Sequence, residues 1–341
     1  MTPENVFPLG KLPMDVLASV LAKAPVSDPR VVLGPGVGLD CAVVDIGEQY
    51  LVFKSEPITF ATDEIGWYSI QVSCNDIATT GATPRWYLSS LLLPENKTTP
   101  ALVEQISAQI FSACREMGLS VLGGHTEITY NLDRPILVAT LIGEVAHDRL
   151  VTPRGACPGD RILLTKGVPV EGTALLAREF NEQLDKVLSP AEKEEARRYL
   201  YQPGISIVRD ARLALRAGRV NAMHDPTEGG LSSALWELAM ASGQEFHIDS
   251  RAVPVAPLSR KICAHFGLNP LETIASGALI LCVPAGDSDA VCAALQAEDI
   301  LCVDIGEVMA GRALVFDTSR GEVLPRPDRD EITRVYERAG N

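Results

Sequence analysis

Between residues 65 and 80 the chain reads IGWYSIQVSCNDIATT, with apolar side chains at Ile65, Ile70, Val72, Ile77 and Ala78 and a glycine, Gly81, directly behind. Apolar recurrence of this kind, closed by glycine, predicts a helix. One polar pair, Asn75-Asp76, interrupts it. A second helix is predicted from Thr99 as cap and Pro100 at its first position, because Leu102, Ile106, Ile110 and Cys114 then repeat every four residues up to Gly118. Around these lie extended runs: a strand, glycine-rich turn and strand from Arg30 to Val44, then residues 50–53, 86–93, 119–122 and the stretch PILVATLIGEV. The strand Leu119–Leu122 is expected to give way to a turn at GGHTEIT.

The punctuation changes near residue 155, where Pro153, Gly155, Pro158 and Gly159 crowd together. A domain boundary is expected there, giving domains 1–154 and 155–341. Beyond it, Ser189-Pro190 with Glu192 predicts a capping box, and EKEEARRYL a solvated helix face. Further helices are expected from Gly204 to Leu215, after HDPTEGG up to Gly243, and at 287–297. SGALILCV, ILCVDIGEV and a stretch after Gly311 read as strands, followed by a short polar helix. Strands and helices mixed in this order predict an α+β protein of two α/β domains.

Composition narrows the function classes. A length of 341 residues and 46% hydrophobic content suit two cores. A net charge of −14 argues against a nucleic-acid surface, yet not against a phosphorylated ligand, since magnesium can supply positive charge locally. The eight cysteines form no C-x-x-C pair, so neither a disulfide framework nor a structural zinc site is expected. No apolar run reaches 18 residues and the first residues lack a signal-peptide pattern, which predicts a cytoplasmic protein without membrane contact.

Four clusters carry candidate chemistry. GPGVGLDCA holds Gly36, Gly38 and Asp40; glycines let backbone approach phosphate and a carboxylate there can hold metal, although such a turn also serves as a plain hairpin connection. Ser55 and Glu56 stand in FKSEPI, which alone reads as an exposed loop acid. Asn75-Asp76 is costly to bury in an apolar helix without partners, although the pair also reads as a surface stripe. Gly123, Gly124, His125 and Glu127 follow an apolar strand, a frequent ligand-contact arrangement.

In order and spacing, GLDCAVV, KSEPI, NDIATTGATP and GGHTEIT resemble the superfamily of aminoimidazole ribonucleotide synthetase, selenophosphate synthetase, thiamine-monophosphate kinase and the hydrogenase-maturation carbamoyl dehydratase. ACPGDRILLTKG, DPTEGGL, ASGALIL and DIGEV extend the resemblance through the second half. It implies an N-terminal sheet joined to its twin's across a homodimer, a C-terminal α/β domain, and ATP with magnesium in the N-terminal cleft. By position, Asp40, Glu56 and Asp76 would be the metal ligands, with Gly36, Gly38, Asp40, Ser55, Asn75, Gly123 and Gly124 around the nucleotide. Asn75 would bond the nucleotide or orient Asp76. Asp76, His125 and Glu127 would take part in catalysis.

There are departures. Leu39 replaces the first acid of a Gly-Asp-Asp turn, Glu56 replaces an Asp, and His125 replaces an Asp for which Glu127 can compensate. In the second half, Lys166 to Thr173 and the turn His224, Asp225, Thr227, Glu228 and Gly229 each read equally as a helix cap or as a ligand contact. In the second case His224 or Asp225 would serve as base. Length and C-terminal motifs are most similar to the hydrogenase-maturation branch, but ITRVYERAGN closes the sequence without that branch's carrier cysteine. The expected activity is ATP-dependent transfer or cleavage of the γ-phosphate to activate an amide or acyl oxygen of a small-molecule or protein-borne acceptor. The alternatives are a non-catalytic nucleotide-binding regulator or maturation scaffold, and a small-molecule kinase resembling thiamine-monophosphate kinase.

Overall fold

A computed structural model describes residues 7–340 apart from Thr62. After helix α1 (Met14–Leu21) come β1 (Val31–Leu33), β2 (Ala42–Asp45), β3 (Tyr50–Ile58), α2 (Ile65–Thr79), β4 (Thr83–Pro94), α3 (Pro100–Met117), β5 (Ser120–Thr129) and β6 (Ile136–Val145). The strands form one six-stranded sheet, ordered β1-β2-β3-β6-β4-β5 and antiparallel except for β4–β5. Along β6 every second residue is buried, including Leu137, Ala139 and Leu141, so one face is committed to core. Helix α2 covers that face and packs in turn against α3.

Residues 147–159 hold two short 3-10 turns before the second half begins. There follow β7 (Asp160–Thr165), α4 (Val170–Glu179), α5 (Pro190–Arg198), α6 (Val208–Ala217), β8 (Ala222–His224), α7 (Gly230–Ser242), β9 (Glu245–Ile248) and α8 (Pro257–Phe266). The last elements are β10 (Ile280–Pro284), α9 (Ser288–Gln296), β11 (Cys302–Met309), β12 (Leu314–Asp317), β13 (Glu322–Val323) and α10 (Thr333–Gly340). The seven strands order as β13-β12-β9-β11-β7-β10-β8. The architecture is α+β with two sheets, and α2 is buried along nearly its whole length because it lies between its own sheet, α3 and α6.

Local signals correspond to observed geometry at both helix starts. Thr99 Oγ1 accepts from Leu102 N–H at 3.2 Å, and Gly118 closes α3 in the left-handed region. Ser189 and Glu192 form the reciprocal capping box of α5. Two expectations are corrected. GGHTEIT is not a turn: β5 runs through it, because it pairs in parallel with β4 all the way to Pro94–Thr129. Gly124 makes this possible, since a Cβ there would lie 2.0 Å from Ser89 O. The helix expected from Gly204 begins only at Val208, because backbone groups of residues 204–207 are engaged by side chains from elsewhere. No helix among the described residues is long and apolar enough to cross a membrane.

Candidate active site

Acidic side chains from both halves converge on a cleft of about 540 Å3, lined by Gly36, Gly38, Asp40 and Glu56 on one side and by Glu228 and Glu237 on the other. The glycine-rich turn can sit this close to α7 because Gly38 has φ +71°, and a Cβ there would come within 2.8 Å of Glu237 O. That turn places Asp40 beside β8. The Nε2 of His224 lies 3.5 Å from Asp40 Oδ2 and 2.9 Å from Glu237 Oε2.

Burial alone would strip the His224 proton, but Asp40 and Glu237 outweigh it and raise the imidazole to about 10. His224 is therefore a cation at neutral pH, with Nδ1 donating to Asp225 O at 3.0 Å. It has no free lone pair for the role of base that the sequence left open to it.

Asp225 is fully buried, and neither carboxylate oxygen meets a hydrogen-bond partner among the described residues. Burial raises its carboxyl to about 6 against the opposing pull of His224. Asp40, His224 and Asp225 bring donor atoms within 4.8 Å of one another. Magnesium takes oxygen ligands and keeps several waters, so Asp40 and Asp225 suit it while the protonated imidazole does not. An orphaned buried carboxylate is what such a site leaves when considered without its cation.

Asp76 approaches from α2, and its partner is Lys54 of β3, whose ammonium lies 3.2 Å from Asp76 Oδ2 and 2.7 Å from Glu56 Oε2. Burial pushes the Asp76 carboxyl well up, and Lys54 opposes this. Lys54 and Glu56 lie two residues apart on β3; Ser55 between them is exposed, lines the same cleft, and has its hydroxyl 3.5 Å from Thr140 Oγ1. A second lysine, Lys11, reaches in from the segment before α1 and donates to Thr227 Oγ1 at 3.3 Å. Desolvation disfavours its charge, but Glu237, Glu228, Asp40 and Glu56 hold it protonated.

Beyond Lys11, Glu56 and Glu228 the cleft continues into a chamber of about 40 Å3 bordered by Tyr68, Glu171 and Ser276. Among the described residues, Tyr68 Oη, Glu171 Oε2 and Ser276 Oγ are buried without a hydrogen-bond partner. Burial raises Glu171 to about 7, with neighbouring Ser276 partly offsetting it.

Several sequence candidates lie elsewhere. Asn75 is fully buried and bonds backbone, not the cleft: its Nδ2 donates to Ile205 O at 2.7 Å and its Oδ1 accepts from Ile207 N–H at 2.8 Å. Gly123, Gly124, His125 and Glu127 lie exposed on β5, the edge strand of the first sheet, with His125 Nε2 3.2 Å from Glu127 Oε2. None of the four lines the cleft of a single chain. The stretch from Lys166 to Thr173 offers no anion site, since the N–H groups of Glu171 and Gly172 are spent on Ser276 O and Ile274 O. Lys166 is bound to Ser206 O at 2.6 Å and paired with Asp210 at 3.2 Å.

The sequence reading missed Lys11, Lys54, Tyr68 and Glu237. Only Lys54 carried a signal, its two-residue spacing from Glu56 on a strand.

Residues 38–145 match the family AIR synthase related protein, N-terminal domain, and residues 157–318 match AIR synthase related protein, C-terminal domain. The carbamoyl dehydratase HypE of Cupriavidus necator is 29% identical over 290 residues, covering 79% of this chain and 78% of that protein. In fold, the chain is similar to the hydrogenase maturation protein HypE in complex with ATP, with a TM-score of 0.68, 24% identity and coverage of 94% and 91% of the two chains. It is equally similar to AaThiL complexed with AMPPCP and TMP, with a TM-score of 0.71, 21% identity and coverage of 92% and 94%. Two matched domains spanning both sheets, and relatives aligned over most of their own length, show that the chain belongs to the AIR synthase related family.

Proposed function

We propose that this chain is an ATP- and magnesium-dependent enzyme that transfers or cleaves the γ-phosphate to activate an amide or acyl oxygen of an acceptor. The observation that carries this reading is Asp225, a fully buried carboxylate with neither oxygen partnered, beside Asp40. Such a pair calls for a hard cation, and a protein of net charge −14 needs one to receive triphosphate. Asp40 and Asp225 would hold magnesium, with Asp76 and Glu56 in reserve behind Lys54. Bound magnesium supplies charge neutralisation at the phosphates. Lys54 and Lys11 add ammonium groups along the same cleft, and His224 holds Asp40 in place.

The reacting amide or acyl end of the acceptor would reach from the cleft to the mouth of the small chamber beyond Lys11. Its unpartnered Tyr68 hydroxyl can donate to an acceptor oxygen, and Glu171 can accept from an acceptor N–H or O–H. Positioning and electrostatics would then carry the rate. The homodimer belongs to the same proposal: Val121, Leu122 and Ile128 are exposed along β5, an open sheet edge in the single chain. A second copy pairing there would also bring His125 and Glu127 into use.

A nucleotide-binding regulator without turnover is the second reading. Leu39 favours it, lining the cleft where the resemblance places an acid. Magnesium-dependent ADP release, measured on the full chain with and without amide acceptors and on Asp225→Asn, separates the two. Release that requires magnesium and Asp225 supports the enzyme. Tight magnesium-dependent binding with no ADP under any acceptor gives the regulator, and no ATP binding sinks both.

A further inference from the structure

On the opposite side of α2 from the acid cluster, a cavity of about 270 Å3 opens at the seam between the two halves. Its walls come from the end of α2 and the following turn (Ala78, Gly81), from α6 (Ala211, Arg212, Arg216) and from Arg149. Three guanidinium-bearing side chains line it, and no acidic residue does. In a protein with 44 acids and 30 basic residues this is an unusual neighbourhood.

The arginines are not explained by internal partners. Arg209, one turn earlier on α6, is neutralised by Glu298. Among the described residues, Arg212 and Arg216 have no acidic partner, although Arg85, Arg161, Arg178, Arg251 and Arg329 all do. They stand four residues apart on one helix, where like charges repel unless something lies between them. Among the described residues the one ion pair of Arg149 is with its own neighbour Asp148, at 3.8 Å.

Nor are they needed as caps for α2. Ile77 O already accepts from Thr80 Oγ1 at 2.7 Å, Ala78 O from Gly81 N–H at 3.0 Å, and Thr80 O from Val151 N–H at 2.9 Å. The last bond also fixes where Arg149 stands. A Cβ on Gly81, at φ +77°, would come within 2.5 Å of Arg149 O, so glycine lets the 149 segment close over the end of the helix.

We infer that this seam cavity binds a small polyanion, carrying two or more phosphate or carboxylate groups, between Arg149 on one side and Arg212 and Arg216 on the other. Arginine's planar fork suits both anion types bidentately. The site is distinct from the acid cleft, which would repel a metal-free anion. It also lies where it can act on that cleft: α2 carries Asn75 and Asp76 one turn before Ala78, and α6 follows directly on Ile207, which Asn75 holds. An anion there would bind the halves at a second point on the same two helices.

The test uses the full chain, freed of metal on a chelating resin and kept without magnesium, titrated by calorimetry with inorganic pyrophosphate and, in a parallel arm, citrate. Saturable pyrophosphate binding is expected, weakened at least tenfold in the Arg212→Gln/Arg216→Gln double variant and unchanged in Lys11→Gln. Citrate binding at the same site would extend the ligand to carboxylates; its absence would restrict it to phosphates. The idea is overturned by no binding of either anion, by unchanged affinity in the double arginine variant, or by a loss confined to Lys11→Gln. Both arginines are exposed, so the double variant should melt like the wild-type protein when no anion is present, and that melt is the check on folding.

Discussion

Asn75 and Ile207 are joined across the domain seam: Ile207 N–H donates to Asn75 Oδ1 at 2.8 Å, while Asn75 Nδ2 donates to Ile205 O at 2.7 Å. Two bonds from one buried side chain fix the approach to α6 against α2. Removing them leaves a buried backbone donor and acceptor unpaired, at about 1–3 kcal/mol each.

Asn75→Ala is therefore expected to lower unfolding stability by about 2–6 kcal/mol in urea, and Asn75→Asp, which keeps the acceptor and loses the donor, by about 1–3 kcal/mol. A loss below about 0.5 kcal/mol in both variants would show that the seam is held elsewhere.

Asn75 and Asp76 show what a sequence can and cannot disclose. That a polar pair in an apolar helix must have partners was legible, because burying it alone is costly. The partner of each was not, because those partners come from residues 205–207 and from Lys54 on another strand. Local signals such as Thr99, Gly118, Ser189 and Glu192 were readable since cap and capped group are neighbours in the chain. Lys11 and Glu237 meet only after both halves are built. The glycines of GGHTEIT suggest a turn by composition, yet Gly124 serves a close strand approach instead.

Magnesium dependence is expected to separate Asp225 from Asp76. Asp225→Asn should leave the melting temperature of the metal-free protein no lower than wild type, since it removes an unpartnered buried charge, while abolishing the rise that magnesium and ATP produce. Asp76→Asn should weaken ATP binding in magnesium by about 1–3 kcal/mol in calorimetry. Unchanged affinity in both would move the nucleotide elsewhere.

Glu171 gives a pH signature. Its folded value near 7 lies above the ordinary 4.5, so its contribution to stability is complete below about pH 4.5 and is lost as pH rises through 7. Glu171→Gln removes this loss. The variant should gain on wild type across that window, by on the order of 2–4 kcal/mol at pH 8. A difference independent of pH would mean that Glu171 is not held protonated.

Association through β5 is expected to give a light-scattering mass of twice 36.6 kDa at micromolar concentration. Leu122→Lys with Ile128→Lys should halve it, as both side chains are exposed in the single chain and lie on the open edge strand. A wild-type monomer at that concentration would count against the shared edge.

Lys54 also bears on how the protein would meet the magnesium proposed for its cleft. Because its ammonium already bridges Glu56 and Asp76, withdrawing magnesium leaves much of the acid cluster neutralised from within. Chelation should then empty the cleft without unfolding the chain, unlike small domains whose fold is built around their metal. Loading of the proposed site would then be reversible: occupancy would track the free magnesium around the protein at each moment, and a molecule stripped of metal could be charged again without passing through a chaperone or a fresh round of synthesis.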